Sequence, residues 1–262
     1  MTSPGTVRRS RRLVERNLLV YRRAPVIILT GIVEPFLYLG SIGVGVGRLV
    51  GDIGGVPYAR YVAPALLAST AMNGAIYDST FNIYFKLKIA RTYDAVLSTP
   101  LGVRDVTIGE ITWALLRGGS YAALFLLSMA ITGLVRSPWA LLALPAALLI
   151  GFAFAAVGMA ATAFMRGFAD FDLVPLITLP LFLFSATFYP LSTYPAALQW
   201  VVRLTPLYHG VVLERALSLG QVGPGLVGHV AYLVVMGLLG LAVATRKLGR
   251  LLLRSLWVPG RA

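Results

Sequence analysis

The sequence predicts an all-α integral membrane protein with six transmembrane helices, both termini lying on the cytoplasmic side. Three observations carry this. Of 262 residues, 58% are hydrophobic and only 13% charged, whereas soluble domains carry about a quarter charged residues and need polar surface at any size. The mean hydropathy is +0.80. The 23 lysines and arginines, which give a net charge of +13, lie between apolar runs rather than on a polar domain. That placement favours topology signals and lipid headgroups over nucleic acid as the partner of the charge. Residues 1–262 read as a single transmembrane domain, and Ala-, Gly-, Arg- and Val-rich usage points to a bacterial cytoplasmic (plasma) membrane as its multi-pass setting.

The first element, over residues 8–23, is not a span. Projected at about 100° per residue, Leu13, Val14, Asn17, Leu18, Val20 and Tyr21 fill one arc. The arginines and Glu15 fill the other, with Leu19 as the misfit. This is the pattern of an amphipathic helix lying along the cytoplasmic headgroups. No small-residue cleavage site follows, so the first span is expected to be retained. A crossing needs roughly 20 mostly apolar residues, and six segments qualify or come near: Ala24–Gly47, Tyr61–Phe85, Ile108–Leu134, Trp139–Phe164, Leu173–Tyr189 and Leu226–Thr245. With the N-terminus inside, only Arg48, Arg60, Arg136, Arg203 and Arg215 face outward and Arg117 falls within span three; every other basic residue is inside. That asymmetry obeys the positive-inside rule and requires an even number of spans.

Two connections carry more than linkage. Residues 86–104 form the one sizeable inner loop. Ile89 to Leu97 can wind into a short helix stopped by Ser98-Thr99-Pro100, with Ile89, Tyr93, Val96 and Leu97 apolar at helical spacing. Residues 185–220 are broken by Pro190, Pro195 and Pro206. Yet Ala196–Leu204 and Leu207–Leu219 each read as short amphipathic helices, a pair of half-length re-entrant helices in the outer leaflet.

The chemistry that is missing narrows the function. No phosphate-binding loop occurs, nor even a Gly-Lys pair. There is no cysteine, and the two histidines, His209 and His229, stand far apart in sequence, so no metal site is expected. No nucleophile elbow or serine triad order is present, and no catalytic residue is assigned. The intramembrane ionisable groups are the functional candidates. Glu34 lies mid-span before Pro35, Asp78 in the inner half of span two, and Glu110 and Arg117 on one face of span three. They form either a gating path or a structural network in which Glu34, Asp78 or Glu110 neutralises Arg117. The glycine run Gly40, Gly43, Gly45 and Gly47 serves close helix packing.

These pieces resemble a known family. Glu34-Pro35-Phe36-x-Tyr38 stands in span one, Arg91-Thr92-Tyr93-Asp94-Ala95 and Thr99-Pro100-Leu101 in the inner loop, and Gly109-Glu110-Ile111-x-Trp113-Ala114 at span three. Phe188-Tyr189-Pro190-Leu191, Leu198-Gln199-Trp200 and Leu204-Thr205-Pro206-Leu207 stand in the outer segment. Together they resemble the membrane subunit of ABC-2-type exporters, closest to the nodulation-protein J type permeases that export lipo-oligosaccharides. The resemblance implies two permease chains, identical or related, and a separate cytosolic ATPase subunit in two copies, which binds the ATP and magnesium; no cofactor is expected in this chain. It implies that Glu15 of the N-terminal helix and Arg91, Thr92, Tyr93, Asp94, Thr99, Pro100 and Leu101 couple to the ATPase. By the same likeness Glu34, Phe36, Tyr38, Phe184 and Phe188 face the substrate path, and Tyr189, Trp200 and Tyr208 belong to the outer gate. The substrate implied is amphipathic (a lipid, glycolipid or drug), although no row of aromatics for stacking sugars is visible. Two rivals remain open: an ion-coupled secondary transporter working through the intramembrane carboxylates, and a membrane-embedded lipid enzyme, for which no nucleophile or metal site can be assembled.

Overall fold

The computed structural model describes residues 13–19, 33 and 36–256, and every statement of absence below refers to these residues. The order is α1 (13–19), α2 (36–50), a hairpin of β1 (Asp52–Ile53) and β2 (Val56–Pro57), α3 (Tyr58–Tyr77), α4 (Thr92–Leu97), α5 (Val103–Ile131), α6 (Ala143–Thr162), α7 (Leu173–Leu183), α8 (Ala196–Leu204), α9 (Pro206–Leu219) and α10 (Leu226–Leu256). The stretches Val103–Ile131, Pro138–Thr162 and Leu226–Leu252 are long and apolar enough to cross a membrane. They coincide with three of the segments read from sequence, and the chain is an all-α, multi-pass membrane protein.

Local chemistry explains the element ends. Asp105 Oδ2 accepts from Gly102 N at 2.9 Å and starts α5, and Asp170 Oδ2 accepts from Arg166 N at 2.6 Å before α7. Ser137 Oγ accepts from Trp139 N at 3.2 Å, with Pro138 opening the 3-10 turn that leads into α6. Gly220, at φ 79°, closes α9 in the left-handed region. The hairpin, which no sequence signal had suggested, turns on Gly54 and Gly55 at φ 58° and 77°. Two successive positive φ values match the twist of a two-residue turn and favour glycine at both places.

Three of the predicted segments look different in detail. Span one is described only at Val33 and from Phe36 onward, and its glycine run winds as a π-helix over Leu39–Val46. Within that run Gly43 and Gly47 lie against Ala59 and Tyr58 of α3, whereas Gly40 and Gly45 face open space. The segment Tyr61–Phe85 lies on α3 and continues through π-helical turns at Asp78–Asn82 and Phe85–Ile89. The segment Leu173–Tyr189 is helical only to Leu183. Pro180 lies in its last turns, Phe184 N bonds back to Pro180 O at 2.8 Å, and Ala186 takes a positive φ of 56°, turning the chain out of the helix.

The core centres on α6, whose alanines and glycines admit α3, α5, α9 and α10 at short range. Gly158 packs directly on Ser79, and Thr162 Oγ1 donates to the carbonyl of Ser79 at 2.9 Å. On the other flank a Cβ at Gly240 would stand 2.8 Å from the backbone nitrogen of Val157. Close backbone approach between small residues is the main source of helix association in lipid, where no hydrophobic drive remains. We predict that Gly240→Leu forces α10 off α6 and destabilises the chain by about 1–3 kcal/mol. A lower midpoint in thermal unfolding in detergent checks this; an unchanged midpoint would refute the packing assignment.

Candidate functional site: an inner lever, a polar cavity and an outer clasp

At one end of the bundle, the π-turns that continue α3 carry Lys86 into the interior, out of the loop where its sequence position alone puts it. Lys86 Nζ sits 2.7 Å from Glu110 Oε2 and donates to Asn17 Oδ1 at 3.0 Å. Asn17 Nδ2 in turn donates to Glu110 Oε2 at 3.1 Å. All three are buried. Asn17 comes from α1, so the N-terminal helix is pinned to the bundle by a closed polar triangle, with Leu13 buried beside it and Leu18 and Leu19 exposed. Tyr93, at 1% exposure, packs in the same cluster with Leu13, Ile83, Val106 and Leu248. Burial, followed by the Glu110 carboxylate, pushes the Tyr93 phenol well above its ordinary range, so it stays neutral.

The remaining residues of the inner loop divide cleanly. Arg91, at φ 44° in the left-handed region, breaks the π-turn from α4 and is exposed, as are Thr99 and Pro100, whereas Thr92, Asp94 and Leu101 are half-buried. Ser98 and Thr99 donate their hydroxyls to Ala95 O and Val96 O at 2.7 and 2.6 Å, which stops the helix before Pro100. Glu15 lies on the exposed face of α1. Thus Tyr93 is the anchor of α4 to its own chain, and the outer surface of the lever belongs to its neighbours.

Deeper in the bundle, Arg117 Nη1 meets Asp78 Oδ1 at 2.7 Å, and Arg117 Nε donates to the Tyr121 hydroxyl at 3.0 Å. Of the two candidate partners among the described residues, Asp78 pairs with Arg117 and Glu110 with Lys86. Glu34 lies outside the described residues. Arg117 borders a cavity of about 380 Å³ whose lining includes Tyr38, Asn73, Tyr77, Tyr121 and Thr178. Ser69 and Thr70, also on its wall, donate to Ala65 O and Leu66 O at 2.9 and 2.8 Å. Arg117 is thus the one charged residue on the described wall of the cavity, and Asp78 holds it from behind.

The aromatic residues assigned to the path separate into groups. Tyr38 and Phe188 both meet Phe182, at 5.6 and 5.1 Å between centroids, so α2 and α7 touch through them. Phe36 packs edge-on against Phe125 at 5.6 Å. Phe184 and Tyr189 gather around Tyr194. Trp200 stands apart, 68% exposed with Arg203 over its ring. Tyr208 turns the other way, towards α10.

There the two histidines meet: His209 Nδ1 lies 2.8 Å from His229 Nδ1, and His209 stacks on Tyr232 at 3.9 Å. Their separation in sequence therefore misled; the fold clasps α9 to α10 through them. Two imidazoles alone do not complete a metal site, and no group of three His, Cys, Asp or Glu gathers among the described residues. Arg215, counted as an outer-loop charge, instead donates to the carbonyls of Tyr61, Ala186 and Thr187 at 3.1, 2.9 and 3.3 Å and covers the Tyr61 ring. It thereby satisfies the carbonyls exposed where the chain leaves α7. Glu214 is fully buried, and neither of its oxygens has a hydrogen-bond partner among the described residues. Nothing in apolar periodicity had marked it, although it lies one helical face with the buried Leu207, Val211 and Ser218.

Several apolar helices long enough to cross a membrane, enclosing a cavity with polar side chains on its wall, define a multi-pass membrane protein. The profile of the ABC-2 type transporter family matches residues 9–217, and the chain belongs to that family. Among its relatives, nodulation protein J of Rhizobium leguminosarum bv. trifolii is 31% identical over 241 residues, covering 91% of this chain and 92% of the relative. Nodulation protein J of Sinorhizobium fredii is 30% identical over 240 residues, with 91% and 92% covered. The inner membrane transport permease YadH of Escherichia coli K12 is 26% identical over 187 residues, with 71% and 70% covered.

Lys86→Met or Glu110→Leu alone leaves its former partner as an uncompensated buried charge and should cost about 3–5 kcal/mol. The double variant should recover most of that loss. Thermal unfolding of the three variants in detergent measures it; additive losses would mean that the pair is not coupled.

Proposed function

We propose that this chain is the membrane subunit of an ATP-driven exporter of the bacterial cytoplasmic membrane, with six spans, both termini inside, and ATP hydrolysis supplied by a separate cytosolic subunit. The observation that carries this reading is the buried attachment of α4 and α1 to the bundle. A short helix outside the spans, anchored by Tyr93 and tied through Asn17, Lys86 and Glu110 to α3 and α5, transmits a push at its surface directly to the helices that hold the polar cavity. Coupling of this kind is mechanical and needs two packing states rather than chemistry. Docking falls to the outer surface of the lever: Glu15, Arg91, Thr92, Asp94, Thr99, Pro100 and Leu101.

The substrate we assign is amphipathic. Its polar part meets the cavity wall of Tyr38, Asn73, Tyr77 and Thr178, and its apolar part meets Phe36, Phe182 and Phe188. A second permease chain, identical or related, packs on α2 and α7. Support comes from the bare apolar surface of α7, where Val174 is the buried residue and Leu176 is 66% exposed. The half-helices α8 and α9 serve as the outer gate with Tyr189, Trp200 and Tyr208. Of the carboxylates that proton coupling would use, Asp78 and Glu110 are each held by a cation at 2.7 Å.

The surface and the anchor give separable outcomes. Co-expressed with a partner ATPase that copurifies with the unaltered chain, the chain carrying Arg91→Glu or Thr99→Arg should lose most of that ATPase. Tyr93→Ala should keep the ATPase bound but lose substrate-stimulated hydrolysis by about tenfold. Transport in vesicles with a proton gradient and no ATP would overturn the proposal.

A further inference from the structure

We infer that the inner mouth of the groove between α5 and α10 binds an anionic phospholipid of the adjacent leaflet, its phosphate on Arg104 and Arg246 and an acyl chain along Ile108, Leu241 and Leu238. These residues line one cavity of about 350 Å³. Both arginines are exposed, and neither has a carboxylate partner among the described residues. The nearest acidic neighbour in sequence, Asp105, is buried and turned away to cap Gly102 N at 2.9 Å. The hydroxyl of Thr245, also on the wall, is committed to Leu241 O at 2.8 Å. The polar capacity of the mouth is therefore two guanidinium groups on facing helices, an arrangement that matches phosphate oxygens in charge and in fork geometry.

The shape argues for a lipid rather than an acidic protein surface. From Arg246 to Leu238 the α10 axis rises about 12 Å, and the wall over that distance is aliphatic, with Leu238 itself open to the surroundings. A ligand that satisfies both parts carries an anionic head and a hydrocarbon tail aligned with the helices. Basic pockets between helices at a membrane surface recognise anionic headgroups in this way. The inference uses only the placement of the start of α5 and the end of α10 on one side of the membrane; it stands whether or not the transport reading does.

The test uses the full chain purified without a histidine tag, mixed with palmitoyl-oleoyl phosphatidylglycerol or with phosphatidylcholine of the same chains, and read by native mass spectrometry. The expected result is one phosphatidylglycerol retained per chain in preference to phosphatidylcholine. Arg104→Gln with Arg246→Gln should lower that retention about thirtyfold. Leu238→Trp, which keeps both charges and fills the groove, should lower it as well, whereas Arg166→Gln should not. Equal retention of the two lipids, or retention that survives the double substitution, overturns the assignment. So does retention that survives Leu238→Trp, because the phosphate would then be held without the groove. Loss of the copurified ATPase in the double variant, with lipid retention intact, would make the mouth a protein contact instead.

Discussion

A lysine and a glutamate facing each other inside a membrane protein must either lose their charges or find each other, since each ion alone in a medium of low dielectric constant is strongly unfavourable. Here Lys86 and Glu110 meet at 2.7 Å, and the geometry of the inner half follows from that contact. α3 must wind an extra residue into its turns to aim Lys86 inward. α1 must approach closely enough for Asn17 to bond both Lys86 and Glu110 Oε2. α4 must present an aromatic ring that shields the pair while tolerating a carboxylate nearby, which Tyr93 does. Well-packed apolar residues can be as stable as a buried pair. What the pair adds is a single permitted arrangement of helices that come from distant parts of the chain.

Much of the framework was legible because lipid imposes simple rules. The apolar lengths of α5, α6 and α10 and the proline breaks after α7 are written in composition and spacing. Lys86 was not legible, because the π-turns at Asp78–Asn82 and Phe85–Ile89 each add a residue to a turn. Every later side chain is rotated relative to a regular helix, so a cation that periodicity assigns to the loop ends up in the core. The choice of Asp78 over Glu110 for Arg117 has the same origin: the sequence named the participants but not the register that pairs them. His209 and His229 escaped for another reason. They belong to helices joined by a loop, and only the return of α10 past α9 brings the rings together.

The outer half solves a different problem from the inner one. Where α7 stops short, the carbonyls of Ala186 and Thr187 face inward with no following turn to satisfy them. Such groups are costly at membrane depth unless protein covers them. Arg215 supplies the missing donors from α9, and the histidine contact holds α9 against α10. The half-helices are therefore fixed at two points, which explains why a segment broken by three prolines keeps a defined path.

The glycine and alanine surface of α6 has a mechanical meaning. α3, α5, α9 and α10 all bear on it, and at Gly240 and Gly158 the approach leaves no room for even one methyl group. A helix seated this deeply among its neighbours acts as a stator: it cannot slide or turn without dragging the whole bundle. α7, by contrast, keeps most of its surface bare, and α2 meets the frame along one line, through Gly43 and Gly47 on α3 and Phe36 on Phe125. In a molecule so divided, a change of shape costs least in those two helices, which touch each other through the rings of Tyr38 and Phe182.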